Sequence, residues 1–184
     1  IAGSHLVDED SGEYNLAHMR ALLPGIPAAA VTLAHRRVGL LLAPGNPLGI
    51  RALPDLAEPQ VRFINRQPGS GTRVWLDSAL KAAGISPVQI IGYAQERATH
   101  SEVAAAVANG QADAAIGLEA AARSYGLDFI FLTRERYDLI VRAGLLNQPG
   151  LLALIAWLKS PAAGEVFARL GGYEWEESGR VRTT

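Results

Sequence analysis

The stretch Asn65-Arg66-Gln67-Pro68-Gly69-Ser70-Gly71-Thr72-Arg73 carries the densest chemistry in the chain. Two glycines bracket Ser70, so the backbone can turn sharply there and approach a ligand closely. A helix that begins at this point leaves its first N–H groups without acceptors and carries about half a positive charge at that end. An oxyanion suits such a position, with the Ser70 and Thr72 hydroxyls as added donors and Arg66 or Arg73 as the full charge. The same residues also allow plain N-capping by Ser70 with nothing bound. The stretch lacks the Lys and the spacing of a phosphate-binding P-loop, and G-S-G-T-R-V lacks the third glycine of a dinucleotide fingerprint.

Four further groups deserve the same two-sided reading. Thr99-His100-Ser101 precedes a second helical pattern, where it can donate to a ligand or simply cap the helix. Glu119 opens a third, where its charge favours the helix dipole. Tyr137 follows the charged turn Thr133-Arg134-Glu135-Arg136 and is either a donor into a binding site or a half-buried strand tyrosine. Ser4 and His5 follow the apolar Ile1-Ala2, at a strand end or a mere terminus. No catalytic set emerges. There is no G-x-S-x-G elbow and no H-E-x-x-H, and Ser70 with His100 lacks an orienting acid. A single His without a second ligand at metal spacing is poor evidence for a metal.

The elements that would hold these groups alternate between strand and helix. The pattern predicts a short helix from Tyr14 to Leu23 after a polar segment with a turn at Ser11-Gly12. Strands follow at Val38–Ala43, Val61–Asn65, Val88–Ile91, Ala112–Gly117, Asp128–Leu132 and Tyr137–Arg142. Helices are predicted at Thr72–Ala83, Ser101–Asn109, Glu119–Tyr125, Leu151–Lys159 and Ala162–Leu170, with a helical turn or loop at Leu53–Leu56 and a loose tail from Tyr173. Such alternation implies an α/β fold with mainly parallel sheets flanked by helices, whose ligands bind at the carboxyl ends of strands.

Composition narrows the function classes. The chain of 184 residues is 49% apolar, and its 17 basic and 18 acidic residues leave a net charge of -1. That balance gives no long-range attraction to nucleic acid or to a membrane surface. With no cysteine, disulfides, Cys-ligated zinc and thiol catalysis are excluded. The longest strongly apolar run, Leu151 to Leu158, is too short to span a bilayer, so no membrane insertion is expected.

Four segments in combination carry a family resemblance. They are Phe63 to Arg73, Thr99 to Val107, Gly110 to Gly117, and Glu135-Arg136-Tyr137-Asp138-Leu139. Together they resemble the type II periplasmic-binding-protein-like domain related to molybdate and tungstate binding proteins. In that family such domains follow a helix-turn-helix segment or a molybdopterin molybdotransferase unit in cytoplasmic proteins, and relatives serve as solute receptors of ABC transporters. The stretch Ala2-Gly3-Ser4-His5-Leu6, with Ser11 to Asn15, is similar to the family's first-lobe segment, which marks Gly3-Ser4-His5 as native.

The resemblance implies two lobes with a ligand between them. The first lobe takes residues 1–42 plus 142–184, with its N-terminal part missing, and the second takes residues 43–141. It places Ser70, Gly71, Thr72, Arg73, Thr99, His100, Ser4 and His5 at the ligand, with Tyr137 and Glu119 as further candidates. The implied function is to bind a small oxyanion, molybdate or tungstate ahead of sulfate, phosphate or a small carboxylate. Closure would then signal to a fused DNA-binding or cofactor-biosynthesis domain. No catalytic role, metal or organic cofactor is expected, and no direct nucleic acid contact. Oligomerisation is allowed, and the cytoplasm is the expected compartment, with the periplasm or exterior as the alternative. Competing readings are an ABC-type anion receptor, an accessory enzyme of molybdenum-cofactor assembly, and a dimerisation module using Leu145 to Trp157.

Overall fold

The computed structural model describes residues 1–7 and 13–184, so the Ser11-Gly12 turn lies outside the described residues. In chain order the elements are β1 (Ala2–Ser4), α1 (Leu16–Leu22), β2 (Ala28–Leu42), β3 (Phe63–Arg66), α2 (Gly71–Ala82), β4 (Glu96–Arg97), α3 (His100–Ala108), β5 (Ala114–Leu118), α4 (Glu119–Ser124), β6 (Asp128–Arg142), α5 (Pro149–Leu158), α6 (Pro161–Leu170), β7 (Tyr173–Glu174) and β8 (Val181–Thr183). The α/β class stands.

The chain divides into two compact units, residues 1–36 with 134–184 and residues 37–133. The division falls within β2 and β6, rather than near the ends of these two 15-residue strands. The partners of β2 change along its length. Ala29–Val31 pair with β8, whereas Val38–Leu42 pair with β5.

In the second unit, β3 pairs in parallel with both β4 and β5. Among the described residues these are the parallel pairs, and β5 meets β2 antiparallel. β3 and β5 are buried throughout, and β5 reads as a continuous apolar run because both its faces are covered. One face packs Leu56, Phe63, Leu76, Leu80 and Ile116, and the other packs Leu41, Ile64, Val103 and Val107 from α3. The strand expected at Val88–Ile91 is a 3-10 turn at Pro87–Gln89 followed by more turns. Only Ile90 is buried there, and Val88 is 92% exposed, so the run gives the core one side chain rather than a strand face.

In the first unit, β1 pairs antiparallel with β6, and β7 and β8 pair antiparallel with β2. α1 covers Ala28 and Ala30, while α5 and α6 cover Ala29, Val31 and Val141. Two expectations are corrected. The tail from Tyr173 is held in the sheet, where Ser178 and Arg182 also bond to Leu33 and Thr32 of β2. The charged run at 133–136 does not break the strand, because Arg36 pairs with Glu135, Arg134 with Glu174 and Arg136 with Asp138. Among the described residues no single helix is long and apolar enough to cross a membrane, and α5 and α6 meet at a bend of 67°.

Candidate functional site

Three helices of the second unit start at the carboxyl ends of its parallel strands: α2 after β3, α3 after β4 and α4 after β5. The parallel register Arg66↔Arg97 brings the first two starts side by side. The Gln67 N–H donates to the Arg97 carbonyl at 3.0 Å, and the Arg66 guanidinium donates to the Ala98 carbonyl at 2.9 Å. His100 then lies against the end of β5, its Nδ1 3.6 Å from where a Cβ on Gly117 would stand. Ser70, Gly71, Thr72, Arg73, Thr99 and His100 thus share one end of one sheet, the location at which α/β sheets hold ligands.

At α2, Gly69 takes the left-handed conformation (φ 80°) that lets the chain turn into the helix. Ser70 is the N-cap, and its hydroxyl accepts from the Arg73 N–H at 3.3 Å. The Gly71 and Thr72 N–H groups open the helix, beyond reach of any helical carbonyl. Thr72 is 2% exposed, and its hydroxyl oxygen is buried without a hydrogen-bond partner among the described residues. Native folds rarely leave such a group unmet, so each one calls for an explanation.

Arg73 does not point a bare charge at this turn. Its Nε donates to both Asp77 carboxylate oxygens at 2.9 and 3.2 Å, and one terminal nitrogen reaches the Arg66 carbonyl and Glu96 at 3.2 and 3.3 Å. Its guanidinium carbon lies 4.2 Å from the centre of the Tyr93 ring. Burial works against the Arg73 charge, yet its bonds to Asp77 and Tyr93 outweigh this and raise its pKa.

The other sequence candidates divide between the units. Thr99 and Glu102 form a reciprocal capping box at α3, with bonds of 3.1 and 2.8 Å, so the Thr99 hydroxyl already serves the backbone. Glu119 is buried and held by Arg37 at 3.1 Å and Arg123 at 2.8 Å, an internal pairing rather than an open acceptor. In the first unit, the Ser4 hydroxyl donates to Asn15 Oδ1 at 2.7 Å. Asn15 in turn donates to Asp138, which also accepts from Arg136. His5 and Tyr137 lie together with ring centres 5.8 Å apart, and Arg36 stacks on Tyr137 at 4.2 Å.

Sequence reasoning missed Asn15, Tyr93 and Asp77, which organise these groups. Asn15 has positive φ (65°), and an Asn between Tyr14 and a helical pattern is the one local signal for that. Tyr93 has no local signal, since its partners lie on other elements.

Residues 1–159 match the family model described as the PBP superfamily domain. The chain is 36% identical over 181 residues to the uncharacterized protein YvgK of Bacillus subtilis, covering 98% of this chain and 58% of that protein. It therefore spans little more than half of that relative. Among solved structures, the PEB3 protein with bound L-phospholactate is 25% identical with a TM-score of 0.60, covering 79% of this chain and 68% of PEB3. The substrate-binding domain assigned to a molybdenum ABC transporter of Clostridium difficile has the same TM-score at 15% identity, covering 79% and 66%. The chain belongs to the PBP superfamily, whose type II binding-protein fold its helix starts and parallel strands reproduce.

Proposed function

We propose that this chain binds a small oxyanion at the N-terminus of α2 and acts as a ligand-sensing domain, with no chemical step of its own. The observation that carries the reading is Thr72: a fully buried hydroxyl without a partner, in the first turn of a 12-residue helix. An anion there would accept from that hydroxyl and from the Gly71 and Thr72 N–H groups. Each charge-assisted bond of this kind contributes roughly 1.5–3 kcal/mol. His100, at the neighbouring helix start, is the next donor within the same unit.

The relatives support an oxyanion in two ways. PEB3 holds a phosphorylated hydroxy acid, and the Clostridium difficile domain is associated with molybdenum. Molybdate and tungstate remain our first choice, with phosphate and phosphorylated small acids next. An attached helix-turn-helix or molybdotransferase unit in the cytoplasm would read the bound state in this proposal.

A thermal-shift panel of molybdate, tungstate, sulfate, phosphate and phospholactate tests the reading. A ligand at about a hundred times its dissociation constant should stabilise the fold by roughly 2.7 kcal/mol. An unmoved melting temperature with all five would reject it.

A further inference from the structure

We infer that Arg73 is a positioning residue of the α2 turn and does not itself touch the anion; this rests on the anion-binding reading above. The resemblance suggests the opposite, an arginine whose charge meets the ligand. The geometry assigns its Nε and one terminal nitrogen elsewhere. Its side chain is only 11% exposed, and the Nε–H is spent on Asp77.

The bond from its terminal nitrogen to the Arg66 carbonyl has a particular consequence. Arg66 ends β3 and Arg73 lies in the first turn of α2, so this contact closes a ring around Gln67-Pro68-Gly69-Ser70-Gly71-Thr72. Inside the ring, the Ser70 N–H donates to the Gln67 carbonyl at 3.3 Å, and the Arg73 N–H to the Ser70 hydroxyl. A glycine-bearing turn has many conformations to lose, and a side chain that closes it removes much of that freedom before a ligand arrives.

Arg73 is itself fixed from the opposite side. Its guanidinium lies over Tyr93, whose hydroxyl bonds to Asp77, the carboxylate that also holds the Nε. Tyr93 is held by β3 in turn: Asn65 donates to its carbonyl at 3.2 Å. The preceding Gly92 passes so close that a Cβ would stand 2.0 Å from the Phe63 carbonyl oxygen, and its φ of 89° suits glycine alone. The frame of Asn65, Gly92 and Tyr93 thus sets the angle of Arg73, and Arg73 sets the turn. A planar fork with several donors suits this role, and a lysine, with one point charge, does not.

The test compares Arg73→Gln, Arg73→Lys, Tyr93→Leu and Tyr93→Phe in the 184-residue chain. Hydrogen exchange at residues 69–72 is measured without ligand, and affinity is measured with molybdate and with inorganic phosphate at several salt concentrations. The expected result is a rise in exchange at the turn of about tenfold in Arg73→Gln and Tyr93→Leu. Tyr93→Phe, which keeps the ring and loses only the bond to Asp77, should show a smaller rise than Tyr93→Leu. Affinity should fall by about tenfold in both disruptive variants, with no further loss when they are combined. Arg73→Lys should not restore it, and the salt dependence should match wild type because no ligand contact has been removed. Wild-type exchange at the turn in Arg73→Gln would overturn the inference. So would rescue by Arg73→Lys together with a flatter salt dependence in Arg73→Gln. If the wild-type chain binds neither anion, the anion-site reading fails by itself, and the exchange data still decide whether Arg73 holds the turn.

Discussion

A Cβ placed on Gly3 would stand 2.1 Å from the hydroxyl oxygen of Tyr137, and one placed on Gly39 would stand 2.0 Å from the carbonyl oxygen of Ile130. The two collisions differ in kind. The tip of a tyrosine can swing aside, whereas a strand carbonyl cannot. Gly3→Ala should therefore destabilise the chain by about 1 kcal/mol and Gly39→Ala by about 3 kcal/mol, the two ends of the usual cost of overpacking. Urea unfolding of both variants checks the ordering. Adding Tyr137→Phe should recover part of the loss for Gly3→Ala only, and equal losses in the two single variants would contradict the contrast.

Thr72 gives a prediction with two signs. Valine has nearly the same shape and lacks the hydroxyl that is buried without a partner. Losing an unmet polar group removes its desolvation penalty, so the ligand-free Thr72→Val chain should be as stable as wild type or more so. Its affinity for the bound anion should fall by about tenfold, one charge-assisted bond's worth. Calorimetric titration beside thermal melting separates the two effects. A variant that is less stable with unchanged affinity would mean that Thr72 is only a packing residue.

Glu119 should behave in the reverse way. Its buried carboxylate receives Arg37 and Arg123, both of which keep access to water on their far sides. Glu119→Gln removes the charge and keeps the shape. Because both partners can turn to solvent, the loss should be about 1–2 kcal/mol, well short of breaking a fully enclosed pair. Anion affinity should stay within about twofold, since the variant changes no proposed donor. A large drop in affinity with intact stability would place Glu119 at the ligand.

Asp113 provides an acid-range signature. A hydrogen bond from Arg62 holds its carboxyl below the ordinary carboxylate range, with partial burial opposing this and the Arg62 backbone N–H assisting. The folded pKa lies below the unfolded one, near 3.9 for an aspartate. Its contribution is therefore present above about pH 4 and is lost as pH falls through the folded pKa. Asp113→Asn should lower stability at neutral pH by less than about 1 kcal/mol, because the pair is partly exposed. It should also shallow the fall of stability on acidification. Chemical denaturation at pH 7, 4 and 3 measures this, and parallel acid limbs in the two chains would refute it.

The sequence by itself determined the features that depend on neighbours in the chain. The caps at Ser70 and Thr99 lie where a hydroxyl precedes a helical pattern, and their hydrogen bonds reach only three residues ahead. The buried strands at 63–66 and 114–118 announce themselves as short runs lined by glycine and polar turns. Only the tertiary structure decided where distant partners would cancel a local signal. The charges at 134–136 read as a break until Arg36, Glu174 and Asp138 are brought to them. Residues 181–183 read as a loose end until β2 offers them a ladder. The use of Arg73 followed the same rule, since Tyr93 and Glu96 lie 20 or more residues along the chain and reach it only through the pairing of β3 with β4. Local patterns encode what a residue can do, and compensation of charge, hydrogen bonds and strand edges across the fold selects which of those capacities is used.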